Sequence, residues 1–298
     1  MSGFSTWNQS MLYSLTDEDT AQLHAALLEI YKDIRRVCEK YSLRLIAAGG
    51  TALGAVRHRG FIPWDDDMDL FMLREEYEQF RKVFHQELGD RYYLLAVGSP
   101  DGVNCFLPRV MKKNTTFLNM IDETAPYPHG IYIDINLLEY APENRAAFLW
   151  KAFRADALRL ISYSVYWHQY RSKSLRAFML PSKGALYYRI RMALGWMFSF
   201  RTAEAWFAAF DRLVRGKPSG VYVVPSGSKR YAGEKFSPDI IFPLRTMPFE
   251  DTTMDVFQDY HWYLKNLYGD YMRIPKPEER GRHLCLKLAF TGDAEAGH

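Results

Sequence analysis

Cysteine is scarce in this sequence: Cys38, Cys105 and Cys285 stand far apart in a chain of 298 residues. An odd number of widely separated thiols argues against a disulfide framework and against a zinc site built from cysteines. Thiols that are not paired in disulfides are typical of a reducing compartment. We therefore expect a cytoplasmic protein.

Long apolar segments are absent as well. No window approaches the roughly 18 to 20 consecutive apolar residues that a membrane-spanning helix requires. The first ten residues, MSGFSTWNQS, lack the basic segment and the apolar run of a secretory signal, and no internal repeat is visible. The sequence thus predicts a protein that does not cross a membrane, although it could lie at the inner surface of one.

Charge is balanced overall but not locally. The chain carries a formal net charge of +3, yet residues 145–215 hold 13 Lys or Arg against Asp156, Glu204 and Asp211, so this segment is +10 and the remainder is −7. Aromatic side chains alternate with the cations in this segment. The asymmetry predicts an anionic partner for the middle of the chain. An ordinary helical subdomain with a solvated basic face is the alternative.

Hydrophobic periodicity indicates mixed structure in the first 140 residues. The sequence from Thr16 to Asp19 is that of a helix capping box, and apolar residues follow it at steps of three and four. A short helix is expected at 51–56, a loop at 57–66 and a charged amphipathic helix at 74–88. Strands are expected at 43–48, 67–72, 92–97, 106–111 and 131–137. We therefore predict the α+β class, with a mixed β-sheet flanked by helices.

From residue 142 to about 215 the pattern changes to helices, with turns expected near Pro181–Gly184 and near Gly195. A Gly- and Pro-containing linker follows at 216–220, and mixed structure returns after it. The Gly- and Ala-rich tail after about residue 290 is expected to fray. We predict three parts: a sheet domain at 1–141, an inserted basic, aromatic-rich helical subdomain at 142–215, and a C-terminal part at 216–298 that completes the sheet domain.

The most informative pattern is the Asp-x-Asp pair at Asp67 and Asp69. Side chains at positions i and i+2 of a strand project from the same face, so we expect the two carboxylates to converge. Neighbouring carboxylates repel unless a cation or a proton lies between them, and Mg²⁺ or Mn²⁺ meets that need beside phosphates. We predict a divalent metal ion at this pair. The alternative, a solvated acidic turn, suits the preceding Asp65 and Asp66 better.

Asp134 interrupts an apolar strand, where an unpaired charge would be costly. We predict that it is the third carboxylate of the site, which would bind a second metal ion or act as the general base. With two ions, one would lower the pKa of an acceptor hydroxyl and the other would neutralise the diphosphate of a donor. A salt-bridged aspartate in the core is the alternative.

Glycines and cations lie close to the acidic pair in the sequence. A Gly-Gly step between a strand and a helix lets backbone N–H groups approach a phosphate, although a simple turn would also explain it. Cations between the glycines and the acidic pair could hold phosphate oxygens, but a surface histidine would equally explain His58. We predict nucleotide or phosphate contacts at Gly49, Gly50, Thr51, Arg57, His58, Arg59, Trp64 and Arg109.

In these residues the chain closely resembles the LicD family, the phosphocholine-transferase-like branch of the nucleotidyltransferase superfamily that includes fukutin-type proteins. The resemblance is carried by GGTALGAVRHRGFIPWDDDMDL at 49–70, and more briefly by 114–117, 249–250 and 267–272. It does not extend to the basic helical middle. One departure stands out: where the family usually reads Asp-Ile-Phe-Pro-Leu-Asp, this chain has Asp-Ile-Asn-Leu-Leu-Glu from Asp134.

The resemblance implies a nucleotidyltransferase-like catalytic core with Mg²⁺ at Asp67 and Asp69. It implies transfer of a substituted phosphoryl group from a CDP-linked donor, typically CDP-choline, to a cell-surface glycan or its lipid-linked precursor, as in lipopolysaccharide or teichoic acid biosynthesis. The basic helices would then contact the lipid-linked acceptor or an anionic membrane surface. No nucleic-acid partner is expected, because no recognised motif is present. Four residues would border the active site: Asp66, Tyr268, Asp270 and Tyr271.

Two other functions stay open. A metal-dependent glycosyltransferase also uses Asp-x-Asp, but it would place the pair after a longer nucleotide-binding βαβ region, whereas Gly50 precedes Asp67 by only 17 residues. A catalytically silent glycan-binding module is the other alternative. Such a module would have no reason to keep a costly cluster of charges.

Overall fold

The computed structural model describes residues 12–281 and 283–290. The expectations of no secretory signal in the first ten residues and of a frayed tail after about 290 therefore lie outside the described residues. Within the described part of the chain, no helix is long and apolar enough to cross a membrane. The cysteines Cys38, Cys105 and Cys285 are all free and buried.

The first half of the chain alternates between helices and strands, as the periodicity predicts. Helix α1 begins with the predicted capping box, in which Thr16 Oγ1 accepts the N–H of Asp19 and the Asp19 carboxylate accepts the N–H of Thr16. The elements are α1 (Asp17–Lys40), β1 (Ile46–Ala47), α2 (Gly49–Arg57), β2 (Asp69–Leu73), α3 (Arg74–Leu88), β3 (Tyr92–Leu95), β4 (Arg109–Lys112), β5 (Thr116–Asn119) and β6 (Tyr132–Tyr140).

Four helices follow in the basic middle segment, and short mixed elements follow those. The helices are α4 (Arg145–Tyr170), α5 (Lys173–Met179), α6 (Ala185–Met197) and α7 (Ala203–Val214). The later elements are β7 (Tyr222–Val223), α8 (Arg230–Gly233), β8 (Lys235–Phe236), α9 (Pro238–Ile241), β9 (Arg245–Phe249), β10 (Thr252–Val256), α10 (Tyr260–Tyr268) and β11 (Cys285–Ala289).

Nine strands of the described chain form one mixed sheet, in the order β3-β4-β6-β2-β1-β10-β9, with β7 pairing to β6 and β8 to β7. Strands β2 and β6 are parallel, and their register places Asp69 opposite Asp134. Strands β9 and β10 come from the end of the chain and join the sheet beside β1. The α+β fold class is therefore confirmed. The division into parts at 1–141, 142–215 and 216–298 stays a prediction.

The strand predicted at 67–72 begins two residues late, at Asp69. The N–H of Asp69 donates to Thr51 Oγ1 at 2.9 Å, and the preceding loop is closed by a hydrogen bond from the N–H of Asp65 to the carbonyl of Ile62 at 2.9 Å. Asp67 therefore lies in the loop rather than in the strand. The expectation that Asp67 and Asp69 are i and i+2 neighbours on one strand is wrong.

The turn predicted near Gly195 is also wrong, because Gly195 lies inside α6 and the helix ends at Met197. A Cβ at this position would overlap the carbonyl oxygen of Ser164 on α4. The glycine thus permits close packing of two helices. The buried Arg191 completes the contact, since its Nη1 donates to the carbonyl of Leu160 at 2.8 Å.

A buried ion-pair group connects the sheet with the helical segment. Arg74, at the start of α3, donates from Nε to Glu139 on β6 at 2.7 Å and from Nη2 to Asp211 on α7 at 2.8 Å. We call these three residues the Arg74 network. One guanidinium thereby ties together elements from both hydrophobic cores of the chain.

Candidate active site

A cavity of about 560 Å³ opens where α2, the loop before β2 and the segment after α10 meet. The two sides of this cavity come from parts of the sequence about two hundred residues apart. Its polar and aromatic lining residues are Arg57, Trp64, Asp65, Asp66, Asp67, Asp69, Tyr268, Asp270, Tyr271, Arg273, Glu279, Arg280 and His283.

Four aspartates at this cavity form what we call the acidic cluster: Asp65, Asp66, Asp67 and Asp69. One carboxylate oxygen from each of Asp65, Asp66 and Asp67 lies within 4.8 Å of the others. Asp69 stands at the first position of β2, on the same cavity. Both carboxylates of the predicted pair, Asp67 and Asp69, are thus at one site, although Asp67 reaches it from the loop.

The sequence suggested that Asp66 belongs to a solvated turn. In the structure it is buried, because only 4% of it is exposed. The N–H of His283 donates to its Oδ2 at 2.9 Å, and Nδ1 of His283 is hydrogen-bonded to its Oδ1 at 2.9 Å. Both carboxylate oxygens of Asp66 are therefore occupied by one residue. Asp66 fixes the loop against the C-terminal segment.

His283 is a site residue that sequence reasoning missed. Its Nε2 lies 3.8 Å from Asp67 Oδ2. Burial lowers the pKa of His283, but the hydrogen bond to Asp66 and the charges of Asp67 and Asp66 raise it more, to about 9. The imidazolium is the cation of the acidic cluster, and it comes from a position 217 residues after Asp66.

One histidine does not balance four aspartates. Burial, followed by the charges of Asp67 and Asp66, raises the pKa of Asp65 to about 8. Burial also raises the pKa of Asp67, with His283 opposing it, and it raises the pKa of Asp69 together with the charges of Asp67 and Asp134. The acidic cluster therefore has an excess of negative charge that favours a bound cation or proton.

Asp69 is held in place from two sides. Thr51 accepts its backbone N–H, and Nδ2 of Asn136 on β6 donates to its Oδ1 at 3.2 Å. Asn136 is in turn fixed by Ser226, whose Oγ donates to Asn136 Oδ1 at 2.9 Å. Asn136 stands where the LicD family usually has phenylalanine. That departure therefore supplies a hydrogen bond to the acidic cluster.

Asp134 faces Asp69 across the β2–β6 pair but is fully occupied by Arg109. Nε of Arg109 donates to Oδ1 of Asp134 at 2.7 Å, and Nη2 donates to Oδ2 at 3.1 Å. The guanidinium carbon also lies 3.7 Å from the ring centroid of Tyr132. This geometry matches the salt-bridged alternative for Asp134. Its catalytic and metal-binding roles stay predictions, and Arg109 does not line the cavity.

Arg57 is the predicted phosphate contact whose position fits best. It lines the cavity, and its Nη1 donates to the carbonyls of Tyr271 at 2.7 Å and Arg273 at 3.2 Å. Within the described residues it forms no ion pair with a carboxylate. Burial lowers the pKa of this guanidinium. An anion entering the cavity would thus find a cation that is already positioned but not neutralised.

The remaining predicted contacts divide into two groups. Gly50 and Trp64 line the large cavity, and the guanidinium carbon of Arg280 lies 3.9 Å from a ring centroid of Trp64. His58 instead packs edge-on against Trp64, and Arg59 is exposed. Neither His58 nor Arg59 lines the cavity. Thr51 does not line the cavity either, but its Oγ1 accepts the backbone N–H of Asp69.

The glycines at the start of α2 make room for the acidic cluster. Gly49 has a φ of +47° and donates its N–H to Tyr263 Oη at 2.8 Å. A Cβ at Gly50 would lie 2.7 Å from Asp65 Oδ2. A side chain at Gly50 would therefore displace a carboxylate of the cluster. Contact between a phosphate and the backbone N–H groups of Gly49 and Gly50 stays a prediction.

Tyr268, Asp270 and Tyr271 all line the large cavity, where the resemblance places the border of the active site. Tyr268 and Asp69 also line a second cavity of about 100 Å³. The other side chains around this small cavity include Phe71, Asn136, Glu234, Tyr263 and Leu267. The two cavities thus share Asp69 and Tyr268 as lining residues.

Known proteins are similar to this chain in the segment that contains the acidic cluster. The family described as LicD/FKTN/FKRP, nucleotidyltransferase domain, matches residues 42–101, which include α2 and the whole acidic cluster. The resemblance to the LicD family is confirmed. The lipopolysaccharide cholinephosphotransferase LicD of Haemophilus influenzae is 26% identical over 263 residues, which cover 86% of this chain and 92% of that protein.

Two shorter matches fall on uncharacterized proteins of Rickettsia. The protein of Rickettsia typhi is 37% identical over 68 residues, 22% of this chain and 22% of its own. The protein of Rickettsia prowazekii is 34% identical over 61 residues, 20% of this chain and 23% of its own. These relatives share a segment with the chain, whereas the LicD match of Haemophilus influenzae spans most of it.

Proposed function

We propose that this protein is a metal-dependent cholinephosphotransferase that moves phosphocholine from CDP-choline to a hydroxyl of a cell-surface glycan or of its lipid-linked precursor. The observation that carries the proposal is the acidic cluster, which lies at a large cavity inside the segment matched by the nucleotidyltransferase domain. The name of the Haemophilus influenzae relative supports phosphocholine as the transferred group and lipopolysaccharide as the kind of acceptor.

The donor set of the acidic cluster fits Mg²⁺ or Mn²⁺. All its ligand atoms are carboxylate oxygens, which hard divalent ions prefer. Burial and then the charges of neighbouring aspartates raise the pKa values of Asp65, Asp67 and Asp69. Because His283 occupies both oxygens of Asp66, we assign the metal to Asp65, Asp67 and Asp69. A bound ion would neutralise charge on the donor diphosphate and on the departing nucleotide.

The reaction forms one bond and breaks one. The acceptor oxygen bonds to the phosphorus of the phosphocholine group, the bond from that phosphorus to CMP breaks, and the hydroxyl proton is released. We propose that Arg57 binds the diphosphate, because it faces the cavity without a carboxylate partner. Asn136 and Thr51 orient Asp69 during the transfer.

The small cavity suits the choline end of the donor. Asp69 lines it, and aromatic rings of Phe71, Tyr263 and Tyr268 surround it together with the buried carboxylate of Glu234. Aromatic faces and a carboxylate are the groups that bind quaternary ammonium ions. We propose that the trimethylammonium group lies there, with the phosphorus beside Asp69 and the cytidine in the large cavity.

Nucleotide release tests this function. The purified protein is incubated with Mg²⁺, lipopolysaccharide and, in separate reactions, CDP-choline, CDP-glycerol, CDP-ribitol and UDP-sugars. We expect CMP from CDP-choline, no release after chelation of the metal, and none from the Asp67→Asn and Asp69→Asn proteins. The matched control Asp90→Asn changes an exposed aspartate away from the cavity and should release CMP normally.

Other outcomes would overturn the proposal. Release of UDP from a UDP-sugar would identify a glycosyltransferase. Binding of a glycan without release of any nucleotide would identify a silent binding module. CMP release from CDP-glycerol or CDP-ribitol alone would keep the reaction class and exclude phosphocholine as the group transferred.

A further inference from the structure

The helical segment carries large apolar side chains on its surface. Among the described residues, ten of the sixteen exposed large apolar side chains lie between residues 149 and 200. Nine of these ten are from 50 to 71% exposed: Leu149, Trp150, Phe153, Leu186, Tyr187, Ile190, Trp196, Met197 and Phe200. Scattered apolar residues are ordinary on a protein surface, whereas a concentration of them marks an interaction site.

Helix α6 carries an apolar stripe in addition to the face that it buries. Tyr188, Arg191 and Gly195, at steps of three and four, are buried against α4. Leu186, Ile190, Ala193 and Met197 follow at steps of four, three and four, and all of these are exposed. Residues at such steps form one stripe along a helix. The outward stripe of α6 is therefore not needed to hold α6 in place.

Helix α4 extends the same surface. Its face toward α6 includes Ser164, whose backbone carbonyl meets Gly195. Leu149, Phe153 and Leu160 precede Ser164 at helical steps that place them on this face, and they are exposed. We call the outward stripe of α6, the exposed side chains at 149–160 and the residues at 196–201 the basic apolar surface.

Charged residues on and beside this surface are predominantly basic. From residue 157 to residue 203 there is no Asp or Glu, whereas eight Lys or Arg occur. Six of the eight are exposed, and within the described residues none of the six forms an ion pair with a carboxylate. They are Arg171, Lys173, Arg176, Lys183, Arg189 and Arg201. Their charge is left for a partner.

We propose that the basic apolar surface docks on an anionic phospholipid bilayer. Trp, Phe and Leu side chains enter the boundary between headgroups and acyl chains, while Lys and Arg contact lipid phosphates. A second copy of the chain would cover the apolar stripe but would bring uncompensated cations of like sign together. A bilayer satisfies both the apolar and the charged part. The proposal is independent of the chemistry at the acidic cluster.

Vesicle binding tests the docking. The full chain is sedimented with vesicles of phosphatidylcholine and phosphatidylglycerol, or with phosphatidylcholine alone. We expect strong binding to the anionic vesicles only. The triple variant Lys183→Gln, Arg189→Gln, Arg201→Gln should bind about a hundredfold more weakly, because each of the three cations contributes roughly a fivefold factor near an anionic surface. The matched triple variant Lys82→Gln, Lys217→Gln, Lys265→Gln has the same net charge and changes exposed residues elsewhere, so it should bind like the wild type.

A separate variant tests the apolar side chains of the basic apolar surface. Trp196→Ser with Phe200→Ser alters two exposed side chains and should lower anionic vesicle binding at least tenfold. Equal binding by this variant and the wild type, or equal losses in both triple variants, would overturn the proposal. So would a wild-type dimer in light scattering that these two substitutions dissociate, with no binding to vesicles.

These results are separable from the proposed transfer reaction. Release of CMP with a water-soluble acceptor should be the same in the wild type and in all three surface variants, because none of the changed residues lines either cavity. Vesicle binding without any CMP release would leave the docking standing and remove the transferase. CMP release without vesicle binding would leave the transferase standing and remove the docking.

Discussion

The acidic cluster and the Arg74 network are two groups of buried charge that are built in opposite ways. In the network, one guanidinium bridges two carboxylates and connects α3, β6 and α7. In the cluster, four carboxylates share one imidazolium, and the pKa values of three of them are raised, with burial as the largest cause. Carboxylates that each bond directly to a guanidinium connect elements of the fold, whereas carboxylates in large excess over their cations weaken it and indicate a ligand of opposite sign.

The largest effect should come from removing one charge of the acidic cluster. Asp69→Asn should lower the rate of CMP release about a thousandfold or more, equivalent to about 4 kcal/mol of transition-state stabilisation. It should also raise the free energy of unfolding in urea without metal, because a repulsive charge is lost. A variant that is less stable without metal would show that the cluster is a structural group.

Removing Arg74, the cation of the Arg74 network, should instead destabilise the fold. Arg74→Met leaves Glu139 buried without its cation, and we expect the free energy of unfolding in urea to fall by about 3 to 5 kcal/mol. Arg215→Met is the control, since Arg215 also pairs with Asp211, at 2.8 Å, but its side chain is 43% exposed. Its effect should stay within about 1 kcal/mol. Equal effects of the two substitutions would contradict the structural role of the network.

Metal binding should stabilise the protein through the acidic cluster. At a concentration a hundred times the dissociation constant, Mg²⁺ or Mn²⁺ should add about 2.7 kcal/mol to the free energy of unfolding. A thermal melt should then rise by several degrees for the wild type and for Arg215→Met, and not for Asp69→Asn. The same rise in Asp69→Asn would place the metal elsewhere.

The smallest effect concerns Glu234, a buried carboxylate that belongs to neither group. Its Oε1 accepts the N–H of Lys229 at 2.9 Å, which glutamine can preserve. Glu234→Gln should therefore raise the KM for CDP-choline about tenfold with little change in kcat, because an attraction to the cationic headgroup is lost. An equal loss of binding affinity for CDP-glycerol, which lacks that cation, would show that Glu234 does not contact choline.

Local patterns in the sequence were sufficient to predict much of the fold. Helix α3 has the predicted bounds, because its apolar residues keep the helical period from Arg74 to Leu88. The capping box of α1 likewise depends on four consecutive residues. The acidic pair was also placed at one cavity, for the simple reason that carboxylates so close in sequence cannot separate far.

The rest of the site depends on long-range contacts that no local pattern contains. The loop position of Asp67 follows from hydrogen bonds between its neighbours and residues such as Thr51 and His283. The pairing of Asp134 with Arg109 follows from the register of β4 on β6. Once that register is known the pair is evident, since the two residues are directly opposite each other. The sequence alone offered both readings of Asp134.

The attachment of His283 to Asp66 has a consequence for how the protein is made. Synthesis proceeds from the N-terminus, so the acidic cluster leaves the ribosome more than two hundred residues before the histidine that neutralises part of it. Throughout that interval the aspartates lack the imidazolium of His283. The cavity-lining residues from Tyr268 onward have not yet been synthesised for most of it. The nascent chain therefore cannot complete the acidic cluster and its cavity until His283 has been translated.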